Sequence, residues 1–205
     1  MKWIYILVVT LILPITTDAQ KEHKKEVKSF WRSHKSGLQQ KFDGPLKPKD
    51  LKKLDFFPLS NKWKIKTEVE KVKDGPVLKM PTSASKIKEY RLYARLHFEI
   101  EGHKYHLPVY EMAGLNPDPV YTNYLFLPFM DKTNGELSYG GGRYLDLDKR
   151  EIRNGYLWLD FNKAYNPYCA YADGWNCPIP PPENKLKIAV TAGEKIYKGP
   201  RRSRK

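Results

Sequence analysis

Carboxylate, amide and tyrosine side chains are concentrated in the C-terminal third of the chain, between apolar segments. Polar side chains beside buried strands cost free energy unless they pair with one another or bind a ligand. The residue types present (Asp, Glu, Asn, Arg and Tyr) suit acid–base chemistry or the binding of a small polar ligand. The sequence therefore predicts that a functional site, if the chain has one, lies in residues 131–195.

Three carboxylates are the candidates for catalysis. Asp131 and Asp160 each stand at the end of an apolar segment, and Glu183 follows three prolines. Two carboxylates that lie close together have separated pKa values, so one can act as an acid and the other as a base. A hydrolase would use Asp160 with Glu183. Asp131 also begins a turn, where Asp often caps its own backbone, so a structural role for it stays open.

A second group of side chains suits ligand binding without reaction. Arg143 follows three glycines, which on a strand usually mark a bulge or a close backbone approach. Its guanidinium could hold a carboxylate or phosphate of a ligand, or pair internally with Asp131, Asp160 or Glu183. The candidate ligand-binding residues are Tyr139, Arg143, Asn162, Tyr165, Asn166 and Asn184.

The first nineteen residues have the pattern of a secretory signal peptide. Lys2 supplies a positive charge, residues 3–15 are apolar, and small residues lead to Ala19, after which cleavage is expected. The apolar segment is shorter than the roughly twenty residues that a membrane span needs. We therefore expect an exported protein, periplasmic or secreted, with no transmembrane span after processing; an uncleaved anchor is the alternative.

The chain has two cysteines, Cys169 and Cys177. In an exported protein they most simply form one disulfide. A zinc site that also uses His103 and His106 is the alternative, although the gap between the cysteines is longer than in structural zinc sites. We expect the disulfide, no metal and no cofactor.

Positive charge dominates the composition, with a formal net charge of +14. Residues 21–72 contain fifteen Lys and Arg against seven acids, and residues 195–205 contain six basic residues and no acid. Export and the lack of a nucleic-acid-binding motif argue against nucleic acid as a partner. An anionic envelope surface, contacted by the basic N-terminal segment and tail, is the partner that the charge suggests.

Hydrophobic periodicity predicts one mainly β domain with an amphipathic helix at its N-terminus. Residues 21–40 repeat apolar side chains at helical spacing, and residues 49–54 suggest a short second helix or turn after Pro48. From residue 63 the period changes to two, which is typical of half-buried strands. Roughly eight strands are expected, in a β-barrel or a β-sandwich-like domain of residues 20–198, followed by a disordered basic tail at 199–205.

Two turns are predicted to join neighbouring strands. Glu101 and Gly102 connect the strand of residues 90–100 to that of residues 105–111, and Asn134-Gly135 follows the strand of residues 124–130. Residues 124–130 are apolar on both faces, so this strand should be central. The remaining strands are expected at residues 63–69, 137–147, 156–161 and 186–190.

Seven motifs of the chain are similar to the signature of DUF1684, a family of unknown function. They lie at residues 129–135, 139–145, 160–167, 169–171, 177–178, 181–184 and 192–195. The resemblance implies a small, often exported domain without an established activity. It groups the candidate residues and Glu194 into one cluster without assigning chemistry. Tyr168 departs from the family pattern, which has a second proline there.

Three functions remain open from the sequence. The first is a binding module with a polar-aromatic pocket for a small anionic or sugar-like ligand, which would use Arg143. The second is a hydrolase-like enzyme with Asp160 and Glu183 as its acid and base. The third is an internal polar network that fixes loops and binds nothing. Buried, fully paired side chains favour the third, whereas an open pocket favours the others.

Overall fold

The computed structural model describes residues 15–39, 44–114 and 121–203. Within these residues, the helix α1 (Ile15–Gly37) precedes seven β-strands. The strands are β1 (Lys64–Lys71), β2 (Val77–Pro81), β3 (Ile87–Ile100), β4 (His103–Met112), β5 (Tyr124–Phe129), β6 (Arg143–Asp148) and β7 (Tyr156–Asp160). Short 3₁₀ turns connect them, and the turn Pro48–Lys53 starts at the predicted proline.

All seven strands form one antiparallel sheet that curls into a half-barrel. Its order is β6-β5-β4-β3-β1-β7, and β2 pairs with the first half of β3. The prediction of a mainly β domain with an N-terminal helix is confirmed. Residues 186–190, expected to be the last strand, instead run without regular structure beside the loop after β5, where the Lys132 N–H donates to the Ile188 carbonyl.

The sheet buries apolar side chains on both faces, as residues 124–130 predicted for a central strand. On β5, Leu125 and Leu127 belong to the main core, whereas Phe126 belongs to a second cluster on the opposite face. The alternation follows from the two-residue period of a strand. The second cluster also contains Tyr110 and Tyr144, so both faces of β4, β5 and β6 are covered.

Strand β3 changes face at a β-bulge between Leu92 and Ala94. Before the bulge, Leu92 faces the second cluster; after it, Ala94 and Leu96 face the main core. Without the extra residue, Tyr93, all three even-numbered side chains would share one face. In the sequence, apolar and polar side chains alternate along this strand without a break. The sequence therefore does not show the change of face at the bulge.

One of the two predicted turns is confirmed and the other is wrong. Glu101 and Gly102 both have positive φ angles and join β3 to β4 by a two-residue turn. In contrast, Phe129 of β5 pairs with Arg143 of β6, so residues 130–142 form a long loop rather than a tight Asn-Gly hairpin. Residues 137–142, expected to begin the return strand, belong to this loop.

Helix α1 is longer at its start than the sequence predicted. It includes residues 16–20, the expected exit of the signal peptide, while residues 1–14 lie outside the described part of the chain. The buried stripe of α1 consists of His23 and Val27, with Trp31 and His34 partly covered beyond them. Among the described residues, no helix is long and apolar enough to cross a membrane.

The two cysteines and the C-terminal tail lie together. Cys169 and Cys177 are at disulfide distance, with their Cα atoms 6.3 Å apart, as expected for the pair. The tail predicted to be disordered is bound at its start: Arg201 contacts Asp173, and Arg202 pairs with the buried Asp50. These contacts hold residues 201–202 against the domain.

Candidate functional site

Arg143, the predicted anion-binding residue, is completely buried, with 0% of its surface exposed. Its Nη2 atom donates to Asp131 Oδ2 at 2.8 Å and to the Val190 carbonyl at 2.8 Å. Its Nη1 atom donates to the carbonyl oxygens of Ala192 and Glu194. Protein groups thus occupy both terminal nitrogens of the guanidinium, while its Nε atom is buried without a hydrogen-bond partner among the described residues. Because the whole side chain is buried, a ligand cannot reach it in this structure.

The glycine before Arg143 is required by close packing. Gly142 has a φ of +88°, and a Cβ atom there would lie 2.7 Å from the Phe129 carbonyl oxygen. A side chain at this position would push β6 away from β5. Of the two roles that the glycine run allowed, close backbone approach is the one that the structure shows at Gly142.

Asp131 both pairs with Arg143 and shapes its own loop. Its Oδ1 atom accepts from the Thr133 N–H at 2.8 Å and from the Val190 N–H at 3.2 Å. Burial lowers the pKa of Arg143, and the negative charge of Asp131 opposes that shift. The pair ties the loop after β5 to the segment before Glu194, which is a structural task.

Glu194 occupies a second buried network next to Arg143. Tyr171 donates its hydroxyl to the carboxyl group at 2.7 Å, and the Asn166 N–H donates to Oε2 at 3.0 Å. Burial raises the pKa of Glu194 to about 7, although these hydrogen bonds and the charge of Arg143 lower it. The Asn166 amide donates to the Lys195 carbonyl at 2.8 Å, so Asn166 is also internal.

Asp160 contacts a histidine that was not predicted as a site residue. Its Oδ2 atom lies 2.7 Å from Nε2 of His23 on α1, and Nδ1 of the same ring lies 3.1 Å from Asn61 Oδ1. The Asn162 side chain donates to Asp160 Oδ1 at 2.8 Å. His23 stands four residues before Val27 on the buried stripe of the helix, and this spacing was the available signal.

Asn184 and Glu183 lie in a third network under β4. The Asn184 amide donates to the carbonyl oxygens of Pro108 and Pro128, both at 2.8 Å. Tyr110 donates its hydroxyl to Asn184 Oδ1 at 2.8 Å and to Glu183 Oε1 at 3.1 Å. Asn184 thus links the backbone of β4 at Pro108 to the backbone of β5 at Pro128.

The structure does not bring Asp160 and Glu183 together. Glu183 is bound to Tyr110 on β4, while Asp160 ends β7, and strands β3 and β1 lie between them. Three strand spacings amount to roughly 14 Å along the sheet. An acid/base pair would need these carboxylates on either side of one substrate bond, typically about 5 to 10 Å apart.

The two candidate tyrosines also have structural partners. Tyr165 donates its hydroxyl to Asp146 Oδ1 at 2.7 Å, and its backbone forms a bridge with Tyr144 at the edge of β6. Tyr139 is partly buried against the cluster around Tyr171, and its carbonyl accepts from Asn134. The polar run of the sequence is thus distributed over several internal networks rather than around one pocket.

An open groove lies elsewhere, between α1 and the segment that precedes β1. It has a volume of about 530 Å³. Its floor is apolar and aromatic, with the Trp31 and Phe56 rings 4.4 Å apart. The groove is lined by Lys24, Val27, Lys28, Trp31, Arg32, Lys35, Phe56, Phe57, Leu59 and Asn162.

Four basic side chains of α1 border this groove: Lys24, Lys28, Arg32 and Lys35. Within the described part of the chain, none of them has an ion-pair partner; the Lys35 ammonium lies 4.7 Å from the centre of the Phe56 ring. Helical spacing of three and four residues places them on one side of the helix. The groove therefore combines an apolar floor with a positively charged border.

The internal networks hold the walls of the groove in place. The Asn162 side chain exchanges two hydrogen bonds with the Ser60 backbone, and the Trp31 indole N–H donates to the Asn162 carbonyl at 3.1 Å. Phe57 covers the Arg143 guanidinium, 5.7 Å from the ring centre. Asn162 is the one predicted site residue that lines the groove.

The described residues contain no group of three or more His, Cys, Asp or Glu side chains placed to hold a metal ion. His103 and His106, the alternative zinc ligands, lie on β4, and the His103 ring contacts the Glu101 carbonyl. The cysteines are joined to each other on another part of the molecule.

Comparison with known proteins identifies a family and a similar solved fold. The family described as a protein of unknown function, DUF1684, matches residues 49–195. The solution NMR structure of an uncharacterized protein from Haloarcula marismortui is similar at 31% identity with a TM-score of 0.63, over 85% of this chain and 96% of that chain. A comparison with curated proteins finds no match. Helix α1 precedes the matched segment.

Proposed function

Because the chain belongs to the DUF1684 family, whose function is unknown, we propose its function from the geometry of the groove. The protein is a binding module, and its ligand is a small anionic amphiphile: an acyl chain or aromatic body that carries a carboxylate, sulfate or phosphate. The groove between α1 and residues 56–59 holds this ligand. This location differs from the pocket around Arg143 that the sequence predicted.

One observation carries the proposal, namely four basic side chains without ion-pair partners beside an aromatic floor in the described structure. Exposed lysines alone are common and would indicate only solubility. Here they border a groove whose apolar surface would be covered by a ligand, and burial of that surface contributes about 25 cal/mol per Å². The charge then selects anions over neutral or cationic molecules of the same shape.

The size of the groove fits a ligand of this class. Sites for small molecules usually have volumes of roughly 300–1,000 Å³ and mostly apolar walls. The volume of about 530 Å³ lies within that range. Lys28 and Arg32 line the groove, and their long side chains allow the charged ends to meet an anionic group of a ligand.

The other two hypotheses have weaker support. A hydrolase that uses Asp160 and Glu183 lacks a shared pocket, because the two carboxylates lie on separate parts of the sheet. The internal-network hypothesis agrees with the burial of Arg143 and Asn184, but it does not account for the open groove and its basic border. Export stays a prediction. Contact with an anionic envelope surface also stays a prediction, and the basic side of α1 is the surface that would make this contact.

The test is calorimetric titration of the purified protein with decanoate and with decyltrimethylammonium, which has the same chain and the opposite charge. At about 0.4–0.5 kcal/mol per non-hydrogen atom, decanoate should bind with a Kd on the order of 100 µM. The cation should bind at least about tenfold more weakly, because the charged border repels it.

Two double variants with the same change of net charge provide the control. Lys28→Glu/Arg32→Glu should weaken decanoate binding at least about tenfold, whereas Lys185→Glu/Lys187→Glu, far along the chain and exposed, should change it less than about twofold. Equal loss in both variants would show that only net charge matters. Equal binding of the cation would refute the proposal.

A further inference from the structure

Strand β7 presents two large aromatic side chains to solvent. Trp158 is 57% exposed and Tyr156 is 44% exposed, while Leu157 and Leu159 between and beyond them are buried. The two-residue period of the strand places both side chains on the same outer face, with their Cα atoms about 7 Å apart. Trp158 and Tyr156 therefore form an exposed aromatic surface on β7, the strand at one edge of the sheet.

The indole of Trp158 forms one wall of an open hollow of about 410 Å³. The opposite wall is the first part of α1, with Ala19 and Gln20 exposed and His23 at the base. Asn61 and Lys64 complete the lining. The hollow shares no lining residue with the groove that borders Trp31.

Next to the hollow, Lys66 supplies a positive charge. It pairs in register with Trp158 across β1 and β7, and its ammonium lies 4.2 Å from the centre of the Tyr156 ring. In the described part of the chain Lys66 has no ion-pair partner, whereas Lys64 is bound to Glu26 at 3.2 Å. Lys66 is thus the cation that an anionic group on a ligand would meet.

We propose that this surface binds an acidic sugar, a pyranose chain that carries carboxylate groups. The C–H face of a pyranose ring is flat and apolar and packs on an exposed indole, whose ring face carries negative potential. The ring hydroxyls require hydrogen-bond partners: the Gln20 amide offers a donor and an acceptor, and the Asn61 Nδ2 group offers a donor, since its Oδ1 atom contacts His23. A uronate carboxylate would pair with the Lys66 ammonium from the side that faces Trp158, away from the exposed Glu68, which stands in register with Tyr156.

The separation of the exposed indole from the nearby charge supports a chain rather than a single sugar. The Lys66 ammonium lies over the Tyr156 ring, two residues and about 7 Å along the strand from Trp158. One sugar unit can therefore stack on Trp158 while the carboxylate of the next unit meets Lys66. The net charge of +14 favours an acidic over a neutral polymer. Burial of Trp158 by the ligand also removes an exposed apolar surface that the fold itself does not use.

The test is titration of the purified protein with tetragalacturonate, followed by calorimetry and by tryptophan fluorescence. Trp158→Ala should weaken binding at least about tenfold, as removal of a central aromatic anchor usually does. Lys66→Gln should weaken it about threefold to fivefold and reduce its salt dependence. Neutral cellotetraose should bind more weakly than tetragalacturonate by a similar factor.

Control variants distinguish a ligand site at Trp158 from a general effect of changing the surface. Leu137→Ala removes an equally exposed apolar side chain, 49% exposed in the loop after β5, and should leave binding unchanged. Trp158→Phe keeps an aromatic ring and should retain part of the affinity. Because Trp158 points outward, its variants should melt within about 2 °C of the wild type. Decanoate binding in the other groove should also be unchanged.

Three results would overturn the proposal. The first is undetectable binding of tetragalacturonate by the folded wild-type protein. The second is equal affinity of the wild type and Trp158→Ala. The third is a dimer in solution that Trp158→Ala converts to monomer, because β7 ends the strand order and its aromatic face would then serve a second copy of the chain.

Discussion

Glu194 shows how the polar residues of this protein are used. Its carboxyl group is fully buried, accepts from Tyr171 and Asn166, and lies near the charge of Arg143. Asp131 already neutralises Arg143 through a direct contact of 2.8 Å. A second negative charge at Glu194 would therefore be in excess, which agrees with a carboxyl group that favours its neutral form.

We expect this carboxyl group to make the stability of the protein depend on pH. The pKa of Glu194 rises from 4.5 to about 7 on folding because of burial. The stabilisation from the neutral form is complete below pH 4.5 and is lost as the pH rises through 7, a change on the order of 3 kcal/mol. Urea unfolding at pH 5 and pH 8 measures it.

Glu194→Gln provides the comparison. The variant cannot ionise at this position, so its stability should change less between the two pH values than that of the wild type. A constant offset is expected, because a Gln amide would face the Asn166 N–H that now donates to the carboxylate. The same pH dependence in both proteins would contradict the assignment.

At the scale of elements, α1 is attached to the sheet by polar contacts as much as by apolar ones. His23 contacts Asp160 at 2.7 Å, and Trp31 contacts the Asn162 carbonyl. On the surface, Glu26 pairs with Lys64 and with Lys163. Because α1 forms a wall of both the groove and the hollow, these contacts fix the geometry of both candidate sites.

His23→Ala should release the first half of α1. Asp160 would lose a buried partner, and removal of one member of a buried pair typically costs about 3 kcal/mol or more. Hydrogen exchange of the backbone amides at residues 19–28 should become faster, and the free energy of unfolding should fall. Glu26→Gln is the matched control on the same helix, and its exposed pairs should cost less than about 1 kcal/mol.

Unchanged exchange rates in His23→Ala would show that Val27 and Trp31 hold the helix without the histidine. In that case the groove would keep its shape, and decanoate binding should also persist. If the helix is released, decanoate binding should weaken together with the protection of the amides, because Trp31 and Lys28 line the groove.

At the scale of the whole molecule, the disulfide region joins segments that are distant in sequence. Ser83 at the end of β2 accepts from the Cys177 N–H at 3.2 Å, and the Ile179 N–H donates to the Pro81 carbonyl. Arg201 of the tail donates to the Cys169 carbonyl at 3.2 Å. The disulfide thus stiffens a junction of β2, its own loop and the C-terminus.

Removal of the disulfide should lower global stability moderately. The sequence separation of the cysteines is 8, and closure of a loop this short contributes about 2–3 kcal/mol. Cys169→Ala/Cys177→Ala should therefore unfold at lower urea concentration but still fold and bind decanoate, because the groove contains no residue of this region. Loss of decanoate binding in the folded variant would contradict this separation.

Several features of the fold could be predicted from the sequence because they depend on neighbouring residues. Alternation along residues 90–100 identified a strand, and positive-φ chemistry at Gly102 identified its turn. The β5–β6 connection could not be found in this way. Asn134-Gly135 has the local signature of a tight hairpin, but the buried contact between Asp131 and Arg143 holds the two ends of a longer loop against the core.

The sequence alone determined the mainly β class, the N-terminal helix and the cysteine pair, because these follow from local periodicity and residue type. Its motifs also carried the resemblance to the family. It also identified the polar residues that form the internal networks, but it did not show whether they bind a ligand or one another. Only the tertiary structure decided that Arg143 and Asn184 face inward and that the open groove lies beside α1. Helical spacing can indicate that His23 is buried, but its partner Asp160 lies 137 residues away, and local sequence patterns do not identify which distant segments meet.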